Sequence, residues 1–281
     1  MKKAVSFLLL IAIILALFGG CTKKDTPPSL PPANSMSIDF SNFTSKKSAD
    51  VDFLAQSSSL ATKNNWNSAV ITAGFWNLIL TVNLIVPVAS FKKAMDNTPV
   101  YLENKTWEWK YSVNVIGAIY NARLTGQIQT SNVKWEMYIS KTGVGAFSEF
   151  LWFSGTSALD GKSGQWILNH SQTFQEPLLQ IDWTVTGTDV GNIKYTYIRD
   201  KNDNRATDLF KNSYIEYGLT STTLNAYYTV HHNISTTTTD FKDVYIEWST
   251  TNHNGRIKAV HYFQDSNWHC WDATGNDVTC S

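Results

Sequence analysis

Five carboxylates sit in the middle of short alternating segments: Glu108 in WEW, Glu136 in WEM, Asp182 in IDW, Glu216 in IEY and Glu247 in IEW. Acids that recur at equivalent places are what general acid–base chemistry would draw on. Each of them, however, lies on the polar parity of its segment, opposite an aromatic or aliphatic face. Lys110, Arg123, Lys134, Lys194 and Lys258 share that parity on neighbouring segments. Cross-strand pairs of opposite charge, worth a few tenths to ~1 kcal/mol each, account for the pattern. Nothing in the spacing brings two acids to one point, as a catalytic pair requires.

Other reactive types are equally scattered. GTSALDG around Ser157 lacks the spacing of a nucleophile elbow, and no phosphate loop, dinucleotide fingerprint or zinc-protease helix occurs. DKNDNRATD offers alternating oxygens at Asp200, Asn202 and Asn204. It has no calcium-loop glycine, and Lys211 stands where the closing Glu would be, so a polar hairpin loop is expected. His231 and His232 are adjacent on a strand and must point to opposite faces. His261 shares the parity of Ile257, Ala259 and Phe263, which makes it a core or cavity histidine. It would share a metal with His269 only if two strands brought them together. The expectation is a protein without catalytic residues, metal or cofactor.

The cysteines say more. Cys270 and Cys280 flank a Gly-Asn-Asp turn, and in an oxidising compartment they are expected to pair. The compartment follows from the start of the chain, MKKAVSFLLLIAIILALFGGC. Lys2 and Lys3 precede a short apolar run, and small residues precede Cys21. That is the layout of an export signal over residues 1–20. The junction resembles the lipobox of bacterial lipoproteins, although Phe18 stands where an aliphatic residue is usual. The resemblance implies that Cys21 is acylated and becomes the first mature residue, anchoring the chain in a membrane. Thr22 is not the aspartate of inner-membrane retention, so the implied location is the outer membrane of the cell envelope. The Lys-rich start and aromatic body are similar to Bacteroidota envelope lipoproteins.

Residues 21–35 carry four prolines and read as an extended spacer with nothing to bury. Without residues 1–20 the chain holds 21 Lys+Arg against 23 Asp+Glu. Nucleic acid is then an unsuitable partner, because phosphate binding needs concentrated basic surface. Residues 36–281 read as one domain, with 36–100 mostly helical and 101–281 a run of strands.

That run has a period of two. Trp107, Trp109, Tyr111, Val113 and Val115 share one face, and Tyr120, Ala122, Leu124, Gly126 and Ile128 share the next. Turn signals at Gly143–Gly145, Asp160-Gly161, Gly187, Asp200–Asn204 and Asn254-Gly255 separate the strands, the last reading as an Asn-Gly hairpin turn. Strands without intervening helices predict an antiparallel meander of about ten to twelve strands. A sheet that wide must curl into a barrel or half-barrel.

Ser68 to Phe91 contains no charged residue. A helix apolar on all sides is a core helix or a membrane span. Asn77, Asn83 and Pro87 lie inside the stretch, and Lys92-Lys93 would mark a cytoplasmic side that conflicts with the disulfide. The expectation is a core helix that ends or kinks near Pro87 and packs on or in the sheet, with two buried strands as the alternative. Residues 49–62 read as a shorter amphipathic helix.

Eleven Trp is a large number for one such chain. Trp107, Trp109, Trp135, Trp166, Trp183 and Trp248, with His261, are the candidates to line a cavity under the helix. The half-barrel lipoprotein carriers are similar in outline, which implies a lipid-like ligand. The expected function is non-catalytic binding or carrying of an apolar, lipid-like ligand, with a structural or surface-interaction lipoprotein whose core is filled as the alternative.

Overall fold

The computed structural model describes residues 26–43 and 63–280. Cys21, the export signal and the amphipathic stretch 49–62 lie outside the described residues. Fourteen strands form one antiparallel sheet in strict chain order, a pure meander that does not close on itself. They are β1 (Val100–Tyr101), β2 (Thr106–Val115), β3 (Ala118–Ile128), β4 (Asn132–Lys141), β5 (Phe147–Ala158), β6 (Ser163–Asn169) and β7 (Pro177–Thr186). Then follow β8 (Asp189–Tyr197), β9 (Tyr214–Leu219), β10 (Ala226–Asn233), β11 (Phe241–Trp248), β12 (Gly255–Lys258), β13 (His269–Trp271) and β14 (Asp277–Val278). The strands beyond the ten to twelve expected are short edge pieces, β1, β13 and β14, whose two or three residues carry no readable alternation.

One long helix, α1 (Asn64–Ala94), lies against β2 and β3 near one edge of the sheet and against β12, β13 and β14 near the other. A single helix thus bridges the two ends of an open, curled sheet. Pro87 does not end it. Phe91 and Ala94, beyond the proline, are fully buried, and their packing offsets the ~3 kcal/mol that an interior proline costs. The reading of this stretch as two strands is thereby set aside.

The N-terminus of α1 is held from across the chain. Lys63, at the cap position, gives no side-chain cap. Instead the Asp277 carboxylate accepts the backbone N–H of Asn64 at 3.1 Å and of Asn65 at 2.9 Å, satisfying donors that a helix start leaves open. The Asn65 amide donates to the Cys270 carbonyl at 2.9 Å, and Lys63 Nζ donates to the Thr274 carbonyl. Cys270 and Cys280 are joined, their Cα atoms 5.2 Å apart. The disulfide hairpin is therefore the seat in which α1 begins.

Residues 26–35, the described part of the expected spacer, are not free of the fold, and they run on into 36–43 as one segment. Pro28, Pro31, Ser35, Met36, Phe40 and Phe43 are buried. The segment crosses one end of the meander: Ser29 lies beside Gly161 in the β5–β6 turn, Asn34 bonds Asp189 at the start of β8, and Asn42 meets His253 in the β11–β12 turn. Prolines suit this course, since they hold the chain extended and present apolar rings without an N–H to satisfy. The stretch is a strap over the sheet's mouth.

The Asn254-Gly255 signal also resolves differently. Gly255 is not in the turn; it pairs with Trp248 on β11 and Trp271 on β13. Residues 249–254 make the connection, with His253 at a φ of 60°.

Candidate functional site

The six candidate tryptophans all lie on the concave face and are 0–2% exposed. Their arrangement follows from cross-strand register. Trp107 on β2 faces Gly126 on β3, which faces Trp135 on β4, which faces Gly155 on β5, which faces Trp166 on β6. Large and absent side chains alternate across five strands. Two of these indoles reach over the glycine beside them: a Cβ on Gly126 would stand 2.4 Å from the Trp135 ring, and one on Gly155 would stand 2.5 Å from the Trp166 ring. The same device joins Trp183 to Gly164 and Trp271 to Gly255. Glycine within a strand marks a close approach; here the approaching group is an indole.

These indoles pave the sheet rather than stand around a space. Side chains of the same chain cover part of this face. Phe91 of α1 packs on Trp166 at 5.2 Å and on Phe153 at 6.3 Å between centroids. Phe43 of the strap sets its edge on Trp248 at 4.9 Å, and Tyr228 lies 4.6 Å from the same ring. Trp135 donates to Ser157 Oγ at 2.9 Å, and Trp166 donates to Ser35 Oγ at 3.2 Å. Among the described residues, hollows open to the surface at two places lined by none of these tryptophans. One, about 340 Å³, lies among Lys110, Tyr111, Asn121, Arg123, Ser140 and Glu149. The other, about 460 Å³, lies between the strap and β8–β9 beside Asn34, Asp39, Asp189 and Tyr217.

His261 is not on a strand. β12 stops at Lys258, and His261 falls in a one-turn helix, α2 (Val260–Phe263). Its ring is 4.0 Å from that of Tyr262 and 6.3 Å from His232. His232 is buried between α1 and β11 with its edge against Phe75. Nε2 of both histidines meets no partner among the described residues. Burial, then the facing His261 and His231, depress His232 to about 4, against a small opposing pull from Asp243. His231, on the outer face, pairs with Asp243 at 2.7 Å. His269 is held by Asp265 at 3.1 Å and stacks on Phe263, so it does not join His261.

The polar candidates are engaged in holding strands and loops. Glu108 pairs with Lys110, Glu136 with Lys134 and Glu247 with Arg256, while Glu216 accepts from Asn192 and Tyr227 and Asp182 from Gln165 and Gln180. In the 200–208 loop the oxygens are already used. Asp200 holds Lys211, Asn202 accepts two backbone N–H groups, and Asp208 accepts from Tyr197 at 2.9 Å. Arg199 ties Asp203 to Glu176, and its guanidinium holds both carboxyls below their usual range, together with Arg205 at Glu176. Among the described residues no group of three His, Cys, Asp or Glu is placed to hold a metal.

The feature that sequence reading passed over is the outer face of α1. The helix is long and apolar enough to cross a membrane, yet one side of it is the core: Ala69, Ala73, Trp76, Leu80, Leu84 and Phe91 are buried. The opposite side carries Ile71, Phe75, Leu78, Val82 and Ile85, which are 38–68% exposed. The chain matches no protein-family model, no curated protein and no solved structure.

Proposed function

We propose that this chain is a lipid-anchored protein of the bacterial cell envelope, tethered through Cys21 at the outer membrane, that acts without catalysis by presenting a surface. Its core is filled rather than hollow. The observation that supports this reading is the indole pavement: six tryptophans at 0–2% exposure, three of which, Trp135, Trp166 and Trp183, reach over the cross-strand glycines Gly126, Gly155 and Gly164, with Phe91 of α1 and Phe43 of the strap packed on the same face. A carrier of apolar ligands needs concave space with a few convergent polar groups, and here side chains of the same chain occupy the concave face. The strand acids and loop oxygens are all spent on strand and loop contacts, which leaves a structural and interaction role as the function that suits the geometry best.

Intrinsic fluorescence tests it. The exported chain 22–281 should show no saturable change in tryptophan emission when titrated with palmitic acid or a lysophospholipid below its micelle concentration. A saturable shift at one ligand per chain would revive the carrier function and overturn this one.

A further inference from the structure

We propose that the outer face of α1 is a second, anchor-independent membrane contact, which lies flat in the headgroup region of a bilayer containing anionic lipid. From Asn64 to Phe91 the helix has no charged residue. Ile71, Phe75, Leu78, Val82 and Ile85 recur at alternating steps of four and three, so they form one stripe about 21 Å long, opposite the buried face. Taking ~150–250 Å² for a large apolar side chain, five that are 38–68% exposed show on the order of 500 Å². That is as large as the largest patch on a typical monomer. It falls short of the about 800 Å² per partner that a standard protein interface buries, which argues against a second copy as the occupant. A bilayer has no such threshold.

Charge and tether length agree with a lipid surface. Lys92 and Lys93, both exposed, follow the stripe at its C-terminal end, and the helix carries no carboxylate; the first acid, Asp96, lies beyond it and pairs with Lys93 at 3.1 Å. The exposed stripe can enter the acyl boundary while Lys92 and Lys93 at its end meet anionic headgroups, the division of labour that interfacial helices use. The anchor is close by. Cys21 is seven residues before the buried Pro28, so an acylated cysteine stays within about 25 Å of the folded surface. Strap and helix meet at one side chain, since Trp166 bonds Ser35 and packs on Phe91, the neighbour of Lys92. The tether argument rests on the lipoprotein reading; the stripe and its lysines do not.

Vesicle flotation of chain 22–281, which has no Cys21, separates the two. It should float with phosphatidylcholine vesicles containing phosphatidylglycerol, less so in high salt. Leu78→Glu/Val82→Glu should reduce flotation about tenfold or more, and Lys92→Gln/Lys93→Gln should reduce it on anionic vesicles only. Leu78→Ser/Val82→Ser serves in the same assay if the glutamates unfold the chain. Wild type that fails to float, or stripe variants that float equally, would overturn the proposal. So would a stable wild-type dimer in sedimentation that the stripe variants dissociate. Loss of membrane attachment by full-length Cys21→Ser bears on the anchor alone.

Discussion

At Gly126 a single added methyl group meets the face of Trp135. An alanine there would set its Cβ 2.4 Å from the indole, with the ring pinned beneath by Trp109 and tied to Ser157. Overpacking of this kind costs about 1–3 kcal/mol. Gly126→Ala should therefore lower the unfolding free energy from urea titration by that amount, whereas Gly117→Ala, in a turn with nothing nearby, should lose only what its positive φ imposes. An equal loss at both sites would mean that the indole is free to move. Strand parity made the inward tryptophans legible, because alternation is local. The glycines opposite them were not, since only register shows which glycine an indole covers. Gly255 illustrates the difference. Beside Asn254 it has the sequence of a tight turn, yet it is a strand residue under Trp271, and a signal with two physical causes cannot be assigned from its neighbours.

Among elements, α1 carries most of the consequences. Its uncharged run was readable, and so was its burial, but not its far end or its exposed side. Pro87 normally stops a helix, and only the docking of Phe91 and Ala94 explains why it continues. Nor does a helix apolar all round declare which side the sheet will cover. The end of β12 was hidden for a similar reason, since Val260 to Phe263 continues an alternating pattern while folding as a turn of helix beside β11. At that seam Phe75 of α1, His232 of β10 and His261 of α2 pack together. The pKa of His232 is depressed to about 4 in the folded state, from an ordinary 6.5. Between those values the unfolded chain binds the extra proton. The contribution is therefore complete above pH 6.5 and is lost as pH falls towards 4, at most about 3 kcal/mol in all. His232→Phe, which keeps a ring against Phe75, should flatten the fall in thermal midpoint between pH 6.5 and 4. An unchanged acid slope would place the sensitivity elsewhere.

For the whole molecule, the meander and the disulfide were foreseeable, the first from alternation within each strand and the second from two cysteines ten residues apart in a chain that begins like an exported one. What fills the sheet was not. The strap buries Pro28, Pro31 and Ser35 from the segment that composition marks as a spacer and adds Met36, Phe40 and Phe43 just beyond it, and the helix spans the gap between the sheet's ends, so a concave aromatic face that suggested a ligand site meets its own chain. On the proposed reading of a filled core, function belongs to the outside. Native mass spectrometry of chain 22–281, exported and purified without detergent, tests that claim most directly. The account predicts the mass of the polypeptide with its disulfide and nothing bound. A stoichiometric adduct of lipid mass, released intact on collisional activation and reduced by Trp166→Ala, would contradict it.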